Sequence, residues 1–269
     1  MTDELRRRFR DLHDEGTFVM PNPWDVGSAR LLASIGFPAL ATTSSGFAAT
    51  LGLRDQQVTL DQLVEHCAAL VQAVDLPLNV DAEYCFSADA AGIPETVERL
   101  AGTGAAGLSI EDFNPGTRAI DPIDVATERV AVAAVAAAAH GMVLTARAEN
   151  LLYGIDDLDA TIARLTAYRD AGAPVVYAPG LRHLDDIARV VSAVGVAVNV
   201  LARPDGPSVG ELASVGVRRV STGGALARAA YGEALRAATE LYAEGTSTYV
   251  TRALSSRDLA ARISGAGSS

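Results

Sequence analysis

Two short apolar runs in this chain each end in a pair of carboxylates. Leu76 to Val80 runs into Asp81-Ala82-Glu83, and Gly107 to Ile110 runs into Glu111-Asp112. Apolar runs of this length, bounded by Pro or Gly, fit strands buried on both faces. Helical pattern from Pro94 to Ala101 supplies the crossover that parallel strands require. Asp81, Glu83, Glu111 and Asp112 should therefore gather at the C-terminal ends of neighbouring strands. Acids crowded at one edge repel unless a cation or a proton compensates, and a hard divalent cation with oxygen ligands is the natural compensator. Taken singly, each acid also has a plain reading, as a helix cap or an arginine partner. A third apolar run, Met142 to Ala146, ends in Arg147-Ala148-Glu149. An unpaired guanidinium at the end of a buried strand is costly, so Arg147 must meet Glu149, Glu111 or an anionic substrate. Thr43-Ser44-Ser45-Gly46 reads as a polar turn that offers hydroxyls and backbone N–H groups to an anion.

The rest of the composition narrows the chemistry. The chain has 269 residues, 49% of them hydrophobic, and a net charge of −11. That charge argues against nucleic acid and anionic membranes as partners. No signal peptide or membrane span is visible, and two cysteines, Cys67 and Cys85, make no disulfide framework, so a cytoplasmic protein is expected. The chain contains no lysine; all 22 basic residues are arginine. Schiff-base chemistry and a Walker-type phosphate loop are thereby excluded. His13, His66, His140 and His183 lack the spacing of a zinc site or a catalytic triad. Cys85 reads as a small core residue.

These groups need a scaffold, and a repeated helix–glycine–strand pattern supplies one. It recurs at Gly36, Gly104, Gly172 and Gly216. Strands are predicted over Thr17–Pro21, Pro38–Thr43, Leu76–Val80, Gly107–Ile110, Met142–Ala146, Val175–Ala178, Val196–Leu201 and Val217–Ser221, with helical pattern between them. Eight βα units without a composition break read as one (β/α)8 barrel over residues 1–269, with its core at about 17–245. An open doubly wound sheet is the alternative. The barrel would collect Asn22, Thr43, Ser44, Ser45, Asp81, Glu83, Glu111, Asp112, Arg147, Glu149, Asn199 and Thr222 at its active face. After the long helix Leu226–Glu244 a tail, 246–269, carries a second helical pattern at Ser256–Ile263 and a terminal Ser/Gly stretch. A minimal barrel has no place for that segment, so it should bury its apolar face elsewhere, on its own barrel or swapped into a neighbouring copy.

In this order the motifs resemble the phosphoenolpyruvate mutase/isocitrate lyase superfamily. The likeness rests on Asn22-Pro23-Trp24-Asp25 with Ser28-Ala29-Arg30, the segment Thr43 to Asp55 with its Leu51-Gly52-Leu53-Arg54-Asp55, Asp81-Ala82-Glu83, Ile110-Glu111-Asp112 and Ala146 to Glu149. It implies a barrel that binds Mg²⁺, or Mn²⁺ in its place, and a small anionic 2-oxo or 2-hydroxy acid. It further implies cleavage of a C–C bond next to a carboxylate through an enolate-like state. Under the resemblance Asp81 would ligate the metal directly, and Glu83 and Glu111 mainly through water. Arg147 would bind the substrate carboxylate, with Asp55 and Glu111 also at the reacting centre. Thr43, Ser44, Ser45 and Asn199 would hold the rest of the substrate. It also implies a homotetramer assembled through the final helices. Departures from the family pattern are specific. Glu83 stands where aspartate is usual, Pro179 replaces a histidine or acid, and Phe113 to Arg118 replaces the Lys-Lys-Cys-Gly-His loop of the lyases. Two alternatives stay open: a P–C bond enzyme of the mutase or phosphonopyruvate hydrolase type, and a non-catalytic metabolite-binding barrel.

Overall fold

The computed structural model describes residues 1–265; the end of the Ser/Gly stretch lies outside them. Eight parallel strands form a single sheet: β1 (Phe18–Met20), β2 (Leu40–Ala41), β3 (Leu78–Asp81), β4 (Gly107–Glu111), β5 (Val143–Arg147), β6 (Val175–Tyr177), β7 (Ala197–Leu201) and β8 (Arg219–Ser221). Their order, β1-β8-β7-β6-β5-β4-β3-β2, brings the first two strands side by side. The seam between them is closed by few bonds. Ala41 N–H donates to the Pro21 carbonyl at 3.1 Å, and Asn22 Nδ2 donates to the Thr42 carbonyl at 2.7 Å. Asn22 Oδ1 also accepts the Thr222 and Gly223 N–H groups, so this side chain stitches the ends of β1, β2 and β8. The chain is thus an eight-stranded α/β barrel, nearly closed, with helices around it.

Strand parity divides the side chains. Val80, Leu108, Ile110, Leu144, Ala146, Val176, Val198, Val200 and Val220 pack outward with the surrounding helices into one core. The bottom of the barrel is plugged by Phe9, from the first helix Thr2–Asp11, with Phe18, Met20, Ala39, Val143 and Val175. Between plug and mouth the interior is polar: Asn79, Ser109, Thr145, Asn199 and Arg219 are all buried. Barrel interiors are ordinarily filled by branched apolar residues, so this polar layer belongs to the site above it.

His13 lies at the lower end of that layer. Phe9 and Phe18 meet its ring edge-on at 4.9 and 5.1 Å. Its Nδ1 lies 2.8 Å from the Phe9 carbonyl, which fixes the proton there and leaves Nε2 as acceptor for Arg219 Nη1 at 3.3 Å. Burial, and then the Arg219 charge, push its pKa down to about 3. A depressed histidine stabilises the fold above its unfolded value of about 6.5, and that contribution is lost as pH falls towards the folded value. Between pH 6.5 and 5 the loss attributable to His13 is expected to be about 2 kcal/mol. Urea unfolding of wild type and His13→Leu at both pH values checks it: the variant should lose less stability on acidification.

Two local features differ from the sequence reading. Thr43 to Gly46 is not a free turn: Thr43 caps a short helix, Ser44–Thr50, by accepting the Gly46 N–H. Phe113–Asn114 and Ala119–Ile120 form a small hairpin beyond β4. Both escape hydrophobic periodicity because they are too short to show a period. The C-terminal elements also stand apart. The helix Ala225–Glu244 has a single buried residue, Ala227, with Leu235 70% and Tyr242 94% exposed. The last helix, Ser256–Gly265, lies against the helix Val26–Ala33, and Arg262 reaches Ser34 Oγ at 3.4 Å.

Candidate active site

A cavity of about 300 Å³ opens at the C-terminal ends of the strands. Thr43, Ser44, Ser45, Asp55, Asp81, Arg147 and Asn199 line it, as their positions in the sequence imply. Arg147 is the centre of the charged groups. Its Nη1 donates to Asp81 Oδ1 at 2.7 Å and its Nε to Glu149 Oε1 at 2.8 Å, while Nη2 lies 3.2 Å from Glu111 Oε2. The parity of β5 aims Arg147 inward, and the register sets it opposite Glu111 on β4 and Tyr177 on β6. The guanidinium is therefore held in one orientation from three sides. Asp81 is fixed in turn: its Oδ2 accepts the Ser44 N–H at 3.1 Å, at the first turn of the helix that Thr43 caps.

The remaining acids are strained electrostatically. Glu111 is buried, accepts from Gln56 Nε2 at 2.9 Å, and has its pKa raised by burial against the opposing pull of Arg147. Glu149 is likewise raised by burial, with Arg147 opposing. Glu83 carries its backbone at φ 49°, in the left-handed region, and its Oε1 is buried with no hydrogen-bond partner. Burial, then the charges of Asp81 and Asp55, push it up to about 8. Asp55, at the exposed rim, is raised by desolvation and then by the charge of Asp81.

The donor set is hard oxygen, and the carboxylates of Asp55, Asp81, Glu83, Glu111 and Glu149 outnumber the one guanidinium between them. An orphaned buried carboxylate oxygen on Glu83 adds a ligand atom without a partner. This chemistry fits a divalent cation such as Mg²⁺. Among the described residues no group of three Asp, Glu, His or Cys forms a ready-made cage; Asp81 and Glu111 close on Arg147 instead.

Asp112 is a correction to the sequence reading. It does not join the other acids but faces outward, where Tyr168 Oη donates to it at 2.6 Å and Arg164 Nη1 at 3.0 Å. Its other oxygen accepts the Glu149 N–H at 2.8 Å. Adjacent residues on a strand point to opposite faces, so Glu111 and Asp112 cannot both look into the barrel. Asn199 is inside the cavity but its amide is engaged: Oδ1 accepts from Arg219 Nε at 2.9 Å, and Nδ2 donates to Ser221 Oγ at 2.9 Å.

Sequence reasoning missed Arg203, Arg219, Arg228 and Tyr177, all of which line the cavity. A signal existed for Arg219, since a charged residue inside the apolar run Val217–Ser221 is anomalous. For Arg228 and Arg203 there was none. Arg228 sits in the first turn of Ala225–Glu244, where a Cβ added to Gly224 would come 2.8 Å from its Nη1 and 2.6 Å from Ser45 Oγ. That side of the mouth is therefore rich in donors, opposite the acids around Arg147.

Known proteins resemble this chain in sequence and in fold. The family model described as phosphoenolpyruvate phosphomutase matches residues 9–242. A structure from Burkholderia cenocepacia assigned as a lyase/mutase superposes with a TM-score of 0.94 at 48% identity, over 98% of this chain and 97% of that one. Oxaloacetate decarboxylase from Paraburkholderia xenovorans is 31% identical over 74% of this chain and 69% of its own length. For 2-methylisocitrate lyase from Escherichia coli the identity is 31% over 65% of this chain and 61% of the lyase.

Proposed function

The chain belongs to the phosphoenolpyruvate mutase/isocitrate lyase superfamily and is an enzyme of that type, and on that premise we propose that it is a Mg²⁺-dependent lyase that cleaves a C–C bond next to the carboxylate of a small 2-oxo or 2-hydroxy acid, through an enolate. The observation that carries the proposal is Arg147, a cation oriented from three sides by Asp81, Glu111 and Glu149 at the wall of the cavity. A guanidinium so fixed still has one N–H on each of Nη1 and Nη2 for a substrate carboxylate and for the oxyanion that develops beside it. Because its geometry is set before the substrate arrives, little reorganisation accompanies charge development. Asp81, Glu83 and Glu111 would hold the metal, which when bound polarises the 2-oxo group and offsets the crowded negative charge. The hydroxyls of Thr43 and Ser45, with Arg228, receive the opposite end of the substrate.

C–C cleavage is favoured over P–C cleavage by the likeness to oxaloacetate decarboxylase and 2-methylisocitrate lyase. The segment after β4 counts against a mutase with a long gating loop, and equally against a lyase that uses the cysteine loop. It is a short hairpin pinned at Asn114, whose Oδ1 accepts the Gly116 N–H and whose Nδ2 donates to Tyr84 and Asp121. Phe113 is also stacked on Tyr153 at 4.1 Å. No long loop is available there to close over a phosphonate. A panel of 2-oxo and 2-hydroxy acids, with and without Mg²⁺, tests the reading by proton and phosphorus NMR. Mg²⁺-dependent C–C cleavage is the expected result. Turnover of phosphonopyruvate alone would move the protein to the mutase side, and no turnover at all would leave a metabolite-binding barrel.

The same reading includes a homotetramer. The helix Ala225–Glu244 buries only Ala227, and Tyr231, Leu235, Leu241 and Tyr242 stay exposed along it. A 20-residue helix with so little cover is suited to packing against another copy. Replacing Leu235 and Tyr242 together by Glu is expected to lower the oligomeric mass measured by light scattering. A doubly substituted protein of unchanged assembly would exclude this helix from the interface.

A further inference from the structure

An enolate released by bond cleavage has to be protonated at carbon, and the loop that carries a cysteine in the lyases is absent. The cavity lining contains no cysteine, histidine or lysine. It contains one phenol, Tyr177 at the end of β6. Its ring centroid lies 5.3 Å from the Arg147 guanidinium carbon, so it stands beside the cation that would hold the enolate.

Beneath it is an unexplained charge. Arg219 is only 2% exposed, yet its acceptors are all neutral: Asn199 Oδ1 at 2.9 Å, Thr145 Oγ1 at 2.8 Å and His13 Nε2 at 3.3 Å. Among the described residues it has no carboxylate partner, and burial pulls its pKa down to about 9. A buried cation without a counter-charge is expensive to keep. Its hydrogen bonds lead in one direction. Arg219 donates to Asn199 and Asn199 donates to Ser221 Oγ, and Ser221 lines the cavity together with Tyr177, which stands in register with Asn199 across β6 and β7. Both donors in that chain point away from the guanidinium towards the cavity wall that Tyr177 shares, an arrangement that stabilises negative charge there.

We propose that Tyr177 is the general acid that protonates the enolate, and that Arg219 is the positioning residue whose charge, relayed through Asn199 and Ser221, stabilises the phenolate left behind. The proposal rests on the enolate reading above. In the step the Tyr177 O–H bond breaks and a C–H bond forms from the enolate C=C electron pair. The enolate oxygen becomes a carbonyl, and the phenolate recovers a proton from water when product leaves. Burial raises the pKa of the free phenol, so it enters the step protonated. Arg147 and Arg219 then both favour the anion.

The probe is 3-methyloxaloacetate, turned over with Mg²⁺ in D₂O, since protonation of its enolate creates a stereocentre. Wild type should deliver deuterium to one face. Tyr177→Phe keeps the ring packing and should lower kcat by roughly 10²- to 10⁴-fold, the range for general acid catalysis, with KM unchanged. Its remaining product should carry deuterium on both faces, because the enolate then picks up its proton from solvent. Arg219→Gln should lower kcat with similar loss of facial selectivity, and Arg219→Lys should restore part of both. Calorimetry with oxalate, a planar dianion like the enolate, separates chemistry from structure. A Tyr177→Phe enzyme that loses oxalate affinity along with kcat, or that keeps wild-type kcat and selectivity, overturns the assignment alone. A wild type inert to this probe and to the whole acid panel removes the enolate reading and the assignment together.

Discussion

Replacing Arg147 by lysine is expected to lower turnover by roughly 10²-fold, a loss of about 3 kcal/mol in transition-state stabilisation, as seen when a preorganised charge donor is removed. The charge survives in Arg147→Lys; the geometry does not. The guanidinium meets Asp81, Glu149 and Glu111 through three different nitrogens, at 2.7, 2.8 and 3.2 Å. An ammonium is a point donor and cannot span that fork. At least one buried carboxylate would lose its partner, and Glu111 and Glu149 are already raised by burial. Steady-state kinetics on the acid identified by the panel, with thermal melts of both proteins, is the check. Near-normal turnover would assign Arg147 to the structure of the barrel mouth.

Asp81→Ala is expected to abolish measurable Mg²⁺ binding and, with it, turnover. In the proposed site Asp81 is the one direct carboxylate ligand, and its removal leaves ligation mainly through water. The structure adds a second consequence. Asp81 accepts both the Ser44 N–H and the Arg147 guanidinium, so its loss also frees the helix start that lines the substrate cavity. Asp81→Asn keeps the shape and one acceptor, and so separates the two effects: weakened metal binding with an intact cavity. Titration calorimetry with Mg²⁺ reads both variants. Unchanged affinity in Asp81→Ala would count against the proposed metal site.

The order of motifs was legible without coordinates. Alternating helical and apolar segments, with glycine at the helix ends, read as eight βα units, which left a closed barrel with an open doubly wound sheet as the alternative. Residue type and position at a strand end then placed Asp81, Arg147, Thr43 and Ser45 at one mouth, because the C-terminal edge follows from strand direction alone. The absence of lysine excluded whole reaction classes by composition. Short elements were lost, such as the helix Ser44–Thr50 and the hairpin after β4, since a few residues carry no period.

What the tertiary structure decided is who pairs with whom. Asp112 follows Glu111 in sequence, yet the strand pleat turns it out to Arg164 and Tyr168. Glu83 Oε1 is buried without a partner, on a left-handed backbone that residue type does not announce. Asn199 proves to be a link between Arg219 and Ser221, residues 20 and 22 positions away in the chain. Tyr177 and Arg219 acquire meaning only when the closed sheet sets β6, β7 and β8 side by side. A sequence fixes which groups reach the end of a strand, through local periodicity. Barrel closure and register, which are long-range, fix the distances between them, and charge interactions depend on those distances.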